Sequence, residues 1–366
     1  MSKEKSELQK AADKIASLVN QTNSKINELG NHAYSLNNVL SIIQAQFDKI
    51  RNVPSDTKYE YEKAKEVRLE WKQQVDKIEN DYNSASKVNV GGGATGAGIG
   101  VGVAALGPTA AMSIATTFGV ASTGIPIASL SGAAATNAAL AWLGGGTLAA
   151  GGSGMAGGTA LLALAGPVGW SIAGVAILSS GLMFWKTRSD RKRLERVFMS
   201  ISKRDQTKYE LAIVELNERI NRIINETGKL NSAIVEIGSF GLDYEAMTEK
   251  QQYVLGSYVN LMFSSSQLLI NPIMGLQPNY SDDDLDKFLS SNLDLVDVQY
   301  RLKKKLLVYL ANLLYNIETD ETDRKLLAKS FRGNKNFIKD MEFERKDFDL
   351  NLFNVVNEIL SVAYKK

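Results

Sequence analysis

The chain contains no cysteine. That excludes a disulfide framework and any cysteine-ligated metal, and it leaves the redox compartment unreadable from thiol pairing. Histidine is almost absent too. The single one, His32, sits beside a helical seam at the 32/33 step, the place of a packing or solvent-facing histidine rather than of a catalytic base. The N-terminus, "MSKEKSELQKAADK", lacks an apolar h-region. No secretory signal is expected there, and a cytoplasmic form is the default, with signal-independent export left open. Net charge is only +2, which gives no case for nucleic-acid binding. The largest deficit is local. Residues 88–185 hold no Asp, Glu, Lys, Arg or His, in a chain that is 22% charged overall.

What is present outside that block is helical periodicity. Leu8, Ile15, Thr22, Leu29, Leu36, Ile43 and Ile50 recur every seven residues, with Leu18, Ile26, Ala33, Leu40 and Phe47 at the alternate spacing. This predicts one long helix over 6–50 with a heptad seam. Pro54 in "NVPSD" breaks it. A second helix is expected over roughly 57–86, with Ala64, Val67, Trp71, Val75, Ile78 and Tyr82 on one face. A third runs over about 187–239, seamed by Tyr209, Leu216, Ile223, Leu230 and Ile237, with Ile213, Ile220 and Ile234 beside them. Residues 251–272 predict a helix ended near Pro272. Ser281 and Asp284 make a capping-box-like start for another through about Ile317. The last twenty residues predict a terminal helix. No strand pattern stands out beyond the uncharged block. The fold class expected is all-α: an elongated bundle of heptad-patterned helices enclosing or bearing a central hairpin. Its divisions are residues 1–87, the block 88–185, a completing helix 186–241, and a C-terminal helical region 242–366 with a sensing or restraining role.

The block itself admits several readings. Gly91, Gly93 and Gly96, and again Gly152, Gly154 and Gly157, match G-x-G-x-x-G. A dinucleotide site also needs a preceding apolar strand and an acid about twenty residues later. No acid exists in the block, nor a lysine to complete a phosphate loop, so the matches follow from glycine content. A disordered linker is excluded by its apolar content. A membrane hairpin fits best. Residues 159–185 are uncharged and long enough to span about 30 Å of hydrocarbon. Lys186, Arg188, Arg191, Lys192 and Arg193 follow directly, a basic membrane flank. Residues 96–142 form a weaker first arm, with Gly92, Gly96 and Gly100, and Gly98 and Gly102, as close-packing positions. Candidate inserting residues are Ile99, Val101, Leu106, Ile114, Phe118, Leu140 and Trp142 in that arm. In the second they are Leu161, Leu164, Trp170, Ile172, Val175, Ile177, Leu182, Phe184 and Trp185. Gly144, Gly145, Gly146, Gly151 and Gly152 would form the hinge between the arms. Thr109, Thr116 and Thr123, and Ser122, Ser129 and Thr136, repeat at seven, which suits either a pore-lining face or helix–helix hydrogen bonds. A buried hairpin that never meets lipid is the other reading. Deleting 88–185 is expected to spare the bundle if the block is a membrane element, and to destroy folding if it is core.

Long heptad helices flanking an uncharged glycine-rich hairpin resemble the α-helical pore-forming toxins of the cytolysin A and haemolysin BL type, over roughly residues 6–240. The string "SGAAATNAALAWLGGGTLAAGGSGMAGG" (131–158) is similar to hairpins of apolipoprotein L-like bacterial membrane-active proteins. The resemblance implies a hydrophobic tongue sheltered in a soluble monomer, then insertion into a lipid bilayer and homo-oligomeric pore assembly. The missing signal and the longer block depart from the toxins and point to a cell-death effector, such as an antiphage protein, acting from inside in response to a protein trigger. A coiled-coil scaffold or membrane-anchored structural protein is the alternative. Catalysis finds no support. "SDDDLDKF" (281–288) lacks the glycine and ligand spacing of a calcium loop, and its aspartates suit a helix N-terminus. No metal, cofactor or catalytic residue is expected.

Overall fold

The N-terminal heptad becomes one helix, α1 (Glu7–Phe47). In a computed structural model, which describes residues 7–91, 108–119, 187–291, 303–333 and 344–363, Ile15, Leu29, Leu36, Ile43, Leu18, Ile26, Ala33, Leu40 and Phe47 are all buried. Thr22 occupies the same seam and donates its hydroxyl to Leu18 O at 2.8 Å, so its burial leaves no bare polar group. The helix stops in tightened turns, with Lys49 N–H on Gln46 O and Ile50 N–H on Phe47 O. Asn52 then takes a left-handed φ of 58°, which asparagine tolerates better than most residues. Pro54 precedes α2 (Ser55–Gly91) and supplies its first carbonyl acceptor.

On α2 the buried positions are Tyr61, Ala64, Trp71, Val75 and Ile78, while Val67 is half-buried. Position 68 completes the 3/4 spacing, and an arginine stands there. Arg68 reaches Gln44 Oε1 at 2.6 Å and Asn37 Oδ1 at 3.3 Å, and burial pushes its pKa down. Tyr61 stacks on Phe47 with ring centroids 4.1 Å apart and donates to Asp48.

The third helix of the bundle, here α4 (Arg188–Ile237), has 50 residues and extends about 75 Å at 1.5 Å per residue. It lies parallel to α1. Lys14 pairs with Glu210 near one end, and a bridge between Arg51 and Asp243 closes the other. The second line of its seam is Ala212, Ile220 and Ala233, with Ile213 and Ile234 only partly buried. The small alanines, rather than the isoleucines beside them, face the core. α5 (Glu249–Ile270) opens on a reciprocal Thr248–Gln251 capping box and returns antiparallel to α4, with Tyr258 on Glu236 and Arg219 on Leu268 O. A short 3-10 turn, Met274–Leu276, is then pinned to α4. Glu215 accepts from the N–H groups of Met274 and Gly275, and a Cβ at Gly275 would lie 2.9 Å from the Ala212 Cα.

A second core gathers α6 (Asp282–Ser291), α7 (Lys304–Leu314), α8 (Glu321–Gly333) and α9 (Leu350–Ala363) around the first turns of α4, where Leu194, Val197, Phe198 and Ile201 are buried. Phe331 stacks on Phe348 at 5.4 Å. Asn312 fastens the entry to this unit. Its Oδ1 accepts from Asn279 N and Tyr280 N, and its Nδ2 donates to Tyr280 O and Val308 O. α6 begins on the expected Ser281–Asp284 box, but one helix through Ile317 does not form, because Lys303 leaves helical geometry (φ −111°, ψ 39°) before α7.

The class is all-α: among the described residues there are helices and no strand. The packing boundary differs from the division at 241/242. α5 and the turn at 274–276 belong to the bundle core, and the change of core falls between Leu276 and Tyr280.

Candidate functional site

Apart from residues 88–91 at the end of α2, one piece of the uncharged block is described, and it is inside the bundle. Helix α3 (Pro108–Phe118) has 11 residues, bounded by a proline suited to a first turn and a glycine just past the end. It spans about 16 Å, half of a hydrocarbon core. None of the helices among the described residues is long and apolar enough to cross a membrane.

α3 lies in the groove between α1 and α2 and meets the end of α5. Every residue from Ala111 to Gly119 is buried, with Met112, Ile114, Ala115 and Phe118 part of the main core. The fit depends on Gly30 of α1. A Cβ there would fall 1.9 Å from Ser113 Oγ and 2.6 Å from Thr109 O, so only glycine lets the two backbones approach this closely. Gly119 is required twice over. Its φ is +81°, and a Cβ would sit 2.6 Å from Ile270 O.

Three hydroxyls enter the core with α3. Thr116 Oγ1 accepts from the indole N–H of fully buried Trp71 at 3.2 Å. Ser113 Oγ returns to Thr109 O at 2.8 Å. Thr117 accepts from Ile273 N–H at 2.8 Å through its carbonyl, but its hydroxyl has no hydrogen-bond partner among the described residues. An orphan buried hydroxyl costs about 1–3 kcal/mol, so α3 is a well-shaped but imperfectly satisfied core element.

Of the expected inserting residues, Ile114 and Phe118 are thus core residues in this conformation. Ile99, Val101, Leu106, Leu140, Trp142, Leu161, Leu164, Trp170, Ile172, Val175, Ile177, Leu182, Phe184 and Trp185 lie outside the described residues. So do the hinge glycines 144–146, 151 and 152, with Thr123, Ser122, Ser129, Thr136 and Lys186. Of the phased hydroxyls, Thr109 is half-buried and Thr116 makes a helix–helix hydrogen bond. Arg188, Arg191 and Lys192 are exposed at the start of α4, whereas Arg193 turns toward the C-terminal unit. His32 is half-buried on α1. Trp71 and Thr116 of the seat are both marked by periodicity, whereas Ser113 and Gly30 are not. Pro108 and Gly119 were the sequence signal that could have delimited α3. Among the described residues no group of acids and histidine could hold a metal. Compared with protein-family models, curated proteins and solved structures, the chain matches none of them.

Proposed function

We propose that this protein is a membrane-inserting, pore-forming or membrane-disrupting protein that shelters part of its insertion block in its own bundle until activated. The carrying observation is α3: an uncharged helix from the first third of the block, docked between α1 and α2 with three buried hydroxyls. Burying Met112, Ile114 and Phe118 is worth roughly 1.5–3 kcal/mol each against water. Hydrocarbon would take the same side chains without that loss, so exchange of the groove for lipid is far less costly than exposure. Residues 159–185 and the exposed cations Arg188, Arg191 and Lys192 supply a span and its flank. Homo-oligomerisation is the part that the toxin resemblance adds, and a cell-death role with a protein trigger comes from the departures from it.

The test is dye release from loaded liposomes by the full chain, with and without a trigger such as detergent priming. Release is expected, and Ala165→Asp should suppress it, since a carboxylate at the centre of a bilayer costs roughly 3 kcal/mol. No release and no liposome flotation under any condition would overturn the reading.

The close fit at Gly30 and the Trp71–Thr116 hydrogen bond also favour a second reading, α3 as permanent core of a helical scaffold. Deleting 88–185 does not separate the two, because it strips the α1–α2 groove in either case. A reporter on α3 does. Ile114→Cys would be the one thiol in a chain without cysteine. Its reaction with a water-soluble maleimide should be slow in solution. On vesicles, a bimane label at the same site should be quenched by brominated lipid. An unquenched label alongside dye release would place α3 outside the inserting part.

A further inference from the structure

Three cations beside the uncharged block are already engaged: Arg191 pairs with Glu195 one turn on along α4 at 3.0 Å, and two others reach across to the C-terminal unit. Arg193 and Arg196, one turn apart on α4, converge on Asp323 of α8. Arg196 Nη2 lies 2.5 Å from Asp323 Oδ2, Arg193 Nε lies 3.3 Å from Asp323 Oδ1, and Arg193 Nη2 also pairs with Asp320. The Asp323 side chain is 1% exposed, while those of Arg193 and Arg196 are 29% and 58% exposed. The carboxylate is buried, and both arginine side chains keep part of their surface in solvent. Asp320 and Asp323 also cap α8 reciprocally: Asp323 N–H donates to Asp320 Oδ1 at 2.8 Å, and Asp320 N–H to Asp323 Oδ2 at 3.3 Å. The Asp323 N–H and, after it, Arg193 hold the Asp320 carboxyl below its usual range. The cluster is not fully satisfied. Neither Arg193 Nε nor Asp323 Oδ1 is aligned for a hydrogen bond, so burial of this ion pair is incompletely compensated.

Two guanidiniums converging on one anion will take a phosphate as readily as a carboxylate. Here the anion comes from within the chain. Arg188, Lys192 and, beside its partner Glu195, Arg191 extend the cationic stretch toward residue 186. We propose that the Asp320–Asp323 pair is an intramolecular competitor for an anionic lipid surface, and that it masks Arg193 and Arg196 until lipid headgroups displace it. This rests on the reading that the adjoining block enters a bilayer. The apolar seam of Leu194, Val197, Phe198 and Ile201 can keep the C-terminal unit docked while the arginine side chains change partner, so unmasking needs no unfolding.

The test compares the full chain with Asp320→Asn/Asp323→Asn in flotation with phosphatidylcholine vesicles, with and without an equal part of phosphatidylglycerol. Asparagine still caps a helix, so the substitutions remove charge and keep the box, and circular dichroism checks the fold. Each cation freed near an anionic surface tightens binding about fivefold, so the pair should gain up to about 30-fold on anionic vesicles. Neutral vesicles should show no gain, and adding Arg193→Gln/Arg196→Gln to the variant should reverse it. Equal binding by wild type and variant on anionic vesicles overturns the proposal. So does an equal gain on neutral vesicles, which would mean exposed apolar surface. Flotation is read apart from dye release. A flotation gain without any leakage leaves the mask standing and sinks the pore reading, whereas leakage with no variant effect does the reverse.

Discussion

Gly30→Ala asks whether α3 is seated as described. The added methyl would stand 1.9 Å from Ser113 Oγ, 2.6 Å from Thr109 O and 2.9 Å from Ser113 Cβ. Rotating Ser113 relieves only its hydroxyl. The carbonyl of Thr109 is backbone, and restoring ordinary contact to it means moving α3 by somewhat under about 1 Å. A gap of that size forfeits a quarter to a half of the dispersion well for the atoms that line it, and overpacking of this kind costs about 1–3 kcal/mol. Alanine also suits a helix interior better than glycine, by about 1 kcal/mol. That gain acts on α1 whether or not α3 is docked. Global stability should therefore fall by about 0–2 kcal/mol, while the undocked population of α3 rises roughly 5- to 150-fold. Gly228→Ala on α4 is the matched control. Nothing lies within 4 Å of a Cβ there, so the same substitution should stabilise by about 1 kcal/mol. Urea titration reads the first quantity. Maleimide labelling of Ile114→Cys in each background reads the second. If Gly30→Ala is as stabilising as Gly228→Ala and labelling is unchanged, α3 does not sit against Gly30. If labelling accelerates, leakage from liposomes should accelerate with it.

Three further outcomes follow from other contacts. Trp71→Phe removes the indole donor to Thr116 and leaves two buried threonine hydroxyls on α3 without partners; a loss of about 1–2 kcal/mol is expected by urea titration, with faster Ile114→Cys labelling. Asn312→Ala leaves the N–H groups of Asn279 and Tyr280 and the Tyr280 carbonyl without their partner. It should cost at least about 2 kcal/mol, and hydrogen exchange should rise first over residues 277–291. Lys208, held on Gln277 O and Asn279, has its pKa pushed down by burial to about 8. Above that value the native state has released a proton that the unfolded chain still binds, so unfolding free energy should rise between pH 8 and 10 by about 1 kcal/mol per pH unit. Lys208→Met should flatten that slope. Above pH 10 the trend reverses, because burial raises Tyr61, Tyr280 and Tyr309 and the unfolded state then loses protons first.

The seams of α1 and α4 were legible because each buries a full heptad stripe, and the Ser281–Asp284 box because capping is local. Other features depend on partners far along the chain. Nothing at 249–270 says that α5 completes the first core, since its burial rests on neighbours in α2 and α4. Arg68 hides a core position, because its stem is buried while its head is solvated by Gln44 and Asn37. α8 escapes periodicity because its burial depends on neighbours in α4 and α9. The break at Lys303 carries neither proline nor glycine. The uncharged block was recognisable by composition, but composition cannot distinguish a helix for lipid from one for a groove. That α3 occupies a groove in this conformation is visible only from its close approach to Gly30.

The sharing of α4 between two cores bears on how this protein can be cut. A fragment starting after Leu276 would lack Leu194, Val197, Phe198 and Ile201, four of the side chains around which its own helices close. A fragment ending there would carry those four with only the first turns of α1 beside them. Neither half is a module in the sense that recombination or truncation mapping assumes. Cuts inside 188–237 should yield insoluble pieces whatever function is assayed, and loss of activity in such pieces would say nothing about where the activity resides.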